Sequence, residues 1–180
     1  VIIGGKKYAS VEDYLAGKEK TVGVYTAKDG TIYTVDGTEI MLDGVKVENL
    51  PEVQDGDTYI EGDYEYKYNY SYSSTGWKNT NGQKAWGVRV LDNTKTEYGK
   101  ILDEINGKKI VNLAYAFYNC TLLTTAPDLS KCTSVTSMVG TFSGCTSLTT
   151  APSIPSSVKD MGSTFYGCKS LATAPAIPSS

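Results

Sequence analysis

The sequence predicts a mainly β protein with short helices that ends in a solenoid of about three coils. Three near copies of one segment close the 180-residue chain: CTLLTTAPDLS from Cys120, CTSLTTAPSIP from Cys145 and CKSLATAPAIP from Cys168. Upstream, Asp-Gly pairs recur every seven residues, and tyrosine fills alternate positions over residues 64–72. A fixed period between copies is the signature of stacked repeats, and strict alternation is typical of strands.

Residues 1–50 are predicted to form a small β-rich N-terminal or attachment domain. Short alternating runs within residues 21–47 are separated by Asp-Gly pairs at residues 29–30, 36–37 and 43–44. Asp-Gly between such runs favours tight hairpin turns, so we expect a meander of short strands. Before the meander, Ser10 and Asp13 have the spacing of a helix cap and predict a brief helix that ends near Gly17.

A capping module is predicted over residues 58–109, after a linker at residues 51–57 that contains Pro51. The first half of the module has tyrosine at every second position. These residues, called the tyrosine comb below, are Tyr64, Tyr66, Tyr68, Tyr70 and Tyr72. Strict period two predicts a single strand with one aromatic face. We expect it to pair, across a turn at residues 81–82, with a strand that carries Trp86, Val88 and Val90.

The same module is predicted to end in a helix. Thr94 and Glu97 have the spacing of a capping box, and an apolar stripe with helical spacing follows them. The stripe consists of Tyr98, Ile101, Leu102 and Ile105, and the following Asn106-Gly107 is a typical helix end. Because this helix runs directly into the repeats, we expect the hairpin and helix to cover the first coil, and residues 58–180 to form one body.

Residues 110–180 are interpreted as three stacked units. In each unit a Leu or Met, a Phe and a Cys lie at i, i+4 and i+7, which predicts one face of a short helix. An inward Leu follows, and then an extended segment with a proline. The predicted repeat core is Leu113, Phe117, Cys120, Leu123, Met138, Phe142, Cys145, Leu148, Met161, Phe165, Cys168 and Leu171.

A unit of this size cannot cover its own apolar face, so about three are needed for stability. The capping module is available to cover the first unit, whereas the last unit has no polar cap. Because solenoids need capping repeats for solubility, we expect the chain's own continuation or a neighbouring subunit to cover the stack beyond Ser180.

The repeats carry a family resemblance. The strings TSVTSM at 133–138, TFSGC at 141–145 and TSLT at 146–149 resemble the BspA-like repeats of bacterial surface proteins, which are divergent leucine-rich repeats. The resemblance implies a right-handed solenoid whose strands line one face, displayed outside the cell and used for adhesion or protein binding. Such repeats also occur in tail fibres and capsid decorations of phages that infect gut bacteria. The first unit departs from the pattern, since its segment 129–135 is two residues longer.

Composition favours a neutral binding surface. The net charge is −3, which argues against nucleic acid as a partner. Residues 111–180 contain five charged side chains, and serine and threonine fill the positions expected to be exposed. Such a hydroxyl-rich surface suits sugars or protein surfaces. No apolar run is long enough to span a bilayer, so we expect no membrane insertion.

The cysteines are predicted to be structural. Cys120, Cys145 and Cys168 occupy equivalent positions and are expected to form a buried ladder of small apolar side chains, with disulfides between adjacent coils as the alternative. The chain has no histidine and no CxxC pair, so we expect neither a zinc site nor another cofactor. The acidic residues between 55 and 63 could supply calcium ligands, but they lack the spacing of a calcium loop, which favours a solvated turn.

The candidate ligand-binding residues are aromatic: Tyr68, Tyr70, Tyr72, Trp77, Tyr118 and Tyr166. Aromatic rings stack against sugar rings, and tyrosine hydroxyls can bond to sugar hydroxyls. Packing of the tyrosine comb on the helix or the first coil is the alternative. We predict no catalytic residues, because the chain lacks histidine, the commonest general base, and has neither a GxSxG motif nor a phosphate-binding glycine loop.

These observations lead to two functional hypotheses. In the first, the protein is a non-enzymatic, surface-displayed adhesion module that recognises a host glycan or host protein through its repeat face. In the second, it is a structural protein of a phage virion, such as a tail fibre, head fibre or capsid decoration. Residues 1–50 would then attach to capsid or tail proteins while the repeats project outward. Both hypotheses place the repeats outside a cell or on the exterior of a virion.

Overall fold

The protein is built from short strands and tight turns. The computed structural model describes residues 22–178, together with the backbone of two short strands nearer the start. The strands are β1 (Ile2–Ile3), β2 (Lys6–Lys7), β3 (Gly23–Thr26), β4 (Ile32–Asp36), β5 (Glu39–Leu42), β6 (Val45–Val47), β7 (Thr58–Glu61), β8 (Tyr64–Tyr68), β9 (Tyr70–Ser73), β10 (Gly76–Asn79), β11 (Trp86–Val90), β12 (Glu104–Ile105) and β13 (Lys108–Asn112). No helix occurs among the described residues, and the fold is mainly β. The helix predicted between Ser10 and Gly17 lies outside them.

Nine of the strands form one sheet that curls into a half-barrel, in the order β12-β13-β11-β8-β7-β3-β4-β5-β6. Neighbouring strands are antiparallel except for β11 and β13, which run parallel. The pairs β1–β2 and β9–β10 are separate two-stranded hairpins. Because β13 leads directly into the repeats, the sheet connects to them at this end.

The meander predicted from the Asp-Gly pairs is present as β3 to β6. Its turns use left-handed backbone, with φ of +90° at Gly30, +59° at Gly37 and +80° at Gly44. Glycine adopts these angles without steric cost. β3 also pairs with β7, so the sheet continues across residues 51–57. The domain boundaries drawn from the sequence stay a prediction.

The tyrosine comb forms two strands, β8 and β9, so the prediction of a single strand is wrong. The chain turns at Asn69, whose φ is +63°. Asn69 is buried, and its Oδ1 accepts hydrogen bonds from Lys84 N (3.1 Å) and Thr80 Oγ1 (2.9 Å). Asparagine tolerates the left-handed conformation, and these bonds hold it there. β8 pairs with β11 as predicted, whereas β9 turns away and pairs with β10.

The helix predicted after Thr94 is absent, because tyrosine and tryptophan side chains of the sheet form hydrogen bonds with the backbone of this segment. Three of its four apolar residues, Tyr98, Ile101 and Ile105, are buried, and Leu102 is partly buried. Its backbone polar groups bond to the sheet: Tyr64 OH donates to Gly99 O (2.6 Å), Leu102 N–H donates to Tyr66 OH (3.1 Å), and Trp86 Nε1 donates to Ile105 O (3.0 Å). These bonds satisfy groups that a helix would otherwise pair internally.

The short helices predicted in the repeats are also absent, and consecutive turns take their place. In the first copy, Tyr118 N–H donates to Tyr115 O within one turn (3.1 Å). The intervening Phe117 N–H donates instead to Thr141 O of the next copy (2.9 Å). A left-handed φ of +53° at Tyr115 interrupts the helical path. The first two copies therefore divide their backbone donors between their own turns and the following copy.

The residues predicted as the repeat core face inward. The rings of Phe117, Phe142 and Phe165 stack with centroid separations of 5.1 and 5.7 Å and interplanar angles of 11° and 7°. In the first two copies the core is completely buried: Leu113, Phe117, Cys120, Leu123, Met138, Phe142, Cys145 and Leu148. In the third copy it is partly exposed: Met161, Phe165, Cys168 and Leu171. The cysteines are free thiols, and Cys145 Sγ donates to Phe117 O (3.2 Å).

Candidate functional site

A cleft lies where the end of β11 meets the first repeat copy. Its volume is about 550 Å³, within the usual range of small-ligand sites. Val90 N–H donates to Ala116 O (3.0 Å) and ties its two walls together. Its aromatic and polar lining residues are Tyr72, Arg89, Asp92, Asn93, Tyr115, Tyr118 and Asn119. We refer to it as the aromatic cleft.

The tyrosine rings of the aromatic cleft are held by aromatic neighbours. Tyr115 and Tyr118 meet edge to face, with 5.5 Å between ring centroids. Tyr72 of β9 meets Trp77 of β10 in the same way at 5.2 Å. Edge-to-face contact is a favoured geometry and stabilises both rings. These contacts within the protein hold the Tyr72, Tyr115 and Tyr118 rings in place.

Arg89 brings a positive charge to the aromatic cleft, but this charge is already paired. Its Nη2 lies 2.5 Å and its Nε 2.6 Å from Oε2 of Glu65 on the neighbouring strand β8. The guanidinium also lies over the Tyr72 ring, 5.4 Å from its centroid. Both side chains of the ion pair are largely shielded from water, with exposed fractions of 29% and 16%. The pair is thus a fixed part of the wall behind Tyr72.

Asp92 supplies a carboxylate to the aromatic cleft. Its Oδ1 accepts hydrogen bonds from the Thr94 hydroxyl (2.6 Å) and the Thr94 N–H (2.8 Å). These bonds lower the pKa of the Asp92 carboxyl, so it is ionised at neutral pH. Within the described part of the chain no hydrogen bond reaches Oδ2, which leaves this oxygen available as an acceptor.

Two lining residues occupy left-handed backbone positions that recur in every copy. At the first position φ is +53° at Tyr115, +59° at Gly140 and +56° at Ser163. Asn119 occupies the second, with glycine in the other copies. A bulky residue in this conformation costs about 1–3 kcal/mol, and such strain is typical of functional positions. The Tyr115 ring also lies over Gly140, where an added Cβ would come within 2.8 Å of it.

Three of the six predicted ligand-binding residues are at the aromatic cleft. Tyr72 and Tyr118 line it, from the tyrosine comb and the first copy respectively, and Trp77 supports Tyr72 from behind. Tyr166 occupies in the third copy the position that Tyr118 occupies in the first. It is 74% exposed and lies outside the cleft.

The two remaining predicted residues pack elsewhere. Tyr68 is 4% exposed, and its ring centroid lies 5.3 Å from that of Trp86. Tyr70 is half-buried, with the Lys67 ammonium 4.4 Å from its ring centroid. These contacts direct both rings away from the aromatic cleft.

Sequence reasoning missed several residues that line the aromatic cleft: Arg89, Asp92, Asn93, Tyr115 and Asn119. For Tyr115 a signal exists, because alignment of the copies places it opposite a glycine and a serine. For Asp92 and Asn93 the sequence offers none. They belong to the segment after β11, which reaches the repeats only through the fold.

A second concavity, of about 590 Å³, is formed by Asp63 and residues 94–99. Several of its polar groups are already paired within the protein, since Lys95 pairs with Asp63 and the Tyr98 hydroxyl donates to Asp92 O (2.8 Å). We therefore take the aromatic cleft as the candidate site. Among the described residues, no group of three or more acidic, cysteine or histidine side chains could hold a metal ion. No helix in that part of the chain has the length and apolar character needed to cross a membrane.

Known proteins offer one weak likeness. No protein-family model matches the sequence, and no curated protein is significantly similar to it. The crystal structure of a leucine-rich repeat protein from T. pallidum is 18% identical, over 58% of this chain and 66% of that chain, with a TM-score of 0.22.

Proposed function

We propose that the protein is a non-enzymatic binding module that holds a glycan, free or attached to a host protein, in the aromatic cleft. The observation that carries this proposal is the cleft's lining. Tyr72, Tyr115 and Tyr118 offer ring surfaces, and Asp92 and Asn119 offer hydrogen-bonding groups between them. Ligand sites commonly combine apolar walls with a few fixed polar groups in this way. The left-handed backbone at Tyr115 adds support, because a bulky residue is strained in this conformation and such strain is typical of functional positions.

We further propose that residues 110–180 form a right-handed, BspA-like solenoid of about three coils. Parallel bridges between successive copies support it, at Asn112 with Ser137 and at Ser137 with Asp160. The stack of phenylalanine rings supports it as well. A protein of this kind is displayed outside the cell and serves adhesion. The alternative, a virion protein attached through residues 1–50, depends on a segment that lies partly outside the described residues.

Glycan binding is tested with the full chain on a glycan array, followed by isothermal titration calorimetry with the glycans that bind. We expect Tyr118→Ala and Tyr72→Ala to weaken binding at least about tenfold, equivalent to about 1.4 kcal/mol. Tyr166→Ala is the matched control, because it removes the same ring from the equivalent position of the third copy, outside the cleft.

The control also separates the cleft from the repeat surface. If Tyr166→Ala weakens binding and Tyr118→Ala does not, the exposed face of the repeats is the binding surface and the assignment to the cleft is wrong. If no glycan binds the unmodified chain, glycan recognition itself is wrong.

A further inference from the structure

We propose that the aromatic cleft selects uncharged sugars over acidic ones, with Asp92 as the residue that rejects a ligand carboxylate. This inference rests on the proposed function and specifies its ligand class. It follows from which polar groups in the cleft already have partners and which do not.

The charges of the lining disfavour an acidic ligand. Arg89 and Asp92 are its charged residues, and the Arg89 guanidinium is bound to Glu65 through two nitrogens. Lys95, whose charge also acts on Asp92, is paired with Asp63. The Asp92 carboxylate is therefore the formal charge in the lining that has no cationic partner of its own. An anionic sugar would meet repulsion there without finding a free cation.

The hydrogen-bonding groups point to the same ligand class. Thr94 fixes the orientation of the Asp92 carboxylate by binding Oδ1, while Oδ2 has no hydrogen bond from the described residues. A carboxylate oxygen accepts hydrogen bonds and cannot donate one, so it binds a sugar hydroxyl and cannot bind another carboxylate. The amides of Asn93 and Asn119 both donate and accept, which suits hydroxyl groups as well.

Matched sugar pairs test this selectivity with the full chain. The probes are methyl glycosides of galactose, glucose and mannose, each compared with its uronide, which differs only by a carboxylate at C6. Titration calorimetry or NMR titration gives each affinity. We expect every uronide to bind at least about tenfold more weakly at low salt, and this difference to shrink as salt screens the repulsion.

Asp92→Asn tests the residue, because it keeps the shape of the side chain and removes its charge. We expect the difference within each sugar pair to fall to about twofold or less, because the uronide no longer meets a negative charge. The neutral sugars should bind more weakly than to the unmodified chain, since they lose a charged acceptor. Asp128→Asn is the matched control. Like Asp92, Asp128 accepts hydrogen bonds from the N–H and the hydroxyl of the residue two positions on, here Ser130, although the two bonds reach different carboxylate oxygens. It lies outside the aromatic cleft. It should leave the difference unchanged.

The outcomes distinguish this inference from the function on which it rests. Uronides that bind as tightly as their neutral partners overturn the selectivity and leave glycan binding standing. An unchanged difference in Asp92→Asn assigns the selectivity to another group and overturns the role of Asp92. If none of these sugars and no array glycan binds, both proposals are wrong. Thermal melting of each variant checks its folding, and if Asp92→Asn is unfolded, the salt dependence of the unmodified chain decides.

Discussion

At the scale of single residues, Phe142 lies in the middle of the phenylalanine stack. It is fully buried between Phe117 and Phe165. Phe165 stacks on Phe142 alone among the described rings and is partly exposed. Removal of a buried ring leaves a cavity that its neighbours fill only in part. Equivalent positions in the repeat therefore contribute unequally to stability.

Phe142→Ala is expected to lower the free energy of unfolding by about 3–5 kcal/mol. The matched change Phe165→Ala removes the same ring from a partly exposed site and should cost less. Urea denaturation followed by circular dichroism measures both. Equal losses in the two variants would contradict the difference in burial.

Tyr115 allows strain to be separated from binding. Tyr115→Gly and Tyr115→Ala both remove the ring from the aromatic cleft, and glycine alone adopts a φ of +53° freely. We expect both changes to weaken glycan binding and the glycine variant to be about 1 kcal/mol more stable than the alanine variant. Calorimetric melting and titration measure the two effects. Equal stability would mean that residue 115 does not keep its left-handed backbone in solution.

At the scale of elements, the first and second copies each donate a row of backbone N–H groups to the copy that follows. In the first copy the donors are Leu113, Tyr115, Phe117 and Asn119, and in the second they are Met138, Gly140, Phe142 and Gly144. The equivalent residues of the third copy are Met161, Ser163, Phe165 and Gly167. None of these four has a backbone acceptor in the described part of the chain. The third copy therefore has an open edge.

Amide hydrogen exchange measures this edge directly. We expect slow exchange at the donors of the first two copies and fast exchange at those of the third, because hydrogen-bonded amides exchange only after local opening. NMR-detected exchange resolves each position. If the third row also exchanges slowly, and more slowly at higher protein concentration, a neighbouring subunit covers the edge, which is one of the two possibilities expected from the sequence.

Elements that depend on neighbouring residues can be predicted from the sequence, whereas elements that depend on contacts with distant residues cannot. The meander follows from Asp-Gly turns, whose backbone angles depend on the residues themselves. The helix predicted after Thr94 does not form, because the side chains that bond to its backbone come from distant parts of the sequence. The Tyr64 hydroxyl that binds Gly99 O lies 35 residues away in the sequence. A capping box reports local preference and contains no information about such a partner.

For the aromatic cleft, the sequence predicts the type of residue that lines it but not that these residues come together. Tyr72 and Tyr118 can be chosen from the sequence because tyrosine suits a sugar ligand. Their meeting depends on the turn at Asn69, which redirects β9, and on the bond from Val90 to Ala116. Neither feature has a sequence pattern that would reveal it.

At the scale of the whole molecule, the sheet and the repeats share one hydrophobic core that extends from Tyr25 to Ile154. The Phe117 ring joins the two parts, with centroid separations of 6.0 Å from Tyr64 and 5.4 Å from Tyr98. Much of this core consists of residues that can ionise. Their burial makes the stability of the whole fold sensitive to alkaline pH.

Stability is expected to fall above about pH 9. Burial raises the pKa of Tyr64 and of Tyr66, and it raises the pKa of Cys132 to about 11. In the unfolded chain these groups ionise near their ordinary values, about 8.5 for cysteine and about 10 for tyrosine. Above those values the folded state holds more protons, so the free energy of unfolding decreases as pH rises.

Urea midpoints between about pH 7 and about pH 11, with tyrosinate absorbance recorded in parallel, measure this dependence. Tyrosinate should appear together with unfolding. A constant midpoint across the range, or ionisation of the core tyrosines in the folded protein, would contradict it. Between about pH 7 and about pH 8 the midpoint should change little, since the chain has no histidine.

The left-handed positions of the repeats accept different side chains without a change in the backbone. Each copy keeps the same two backbone angles whether it carries glycine, serine, asparagine or tyrosine there, and the first copy alone has a large side chain at both. A side chain at one position needs free space over the next copy, as the Tyr115 ring needs it over Gly140. If the cleft binds the glycan proposed above, an engineer could therefore move this site along the array by substituting one copy and keeping glycine in its neighbour. New specificity would then require few mutations and no rebuilding of the scaffold.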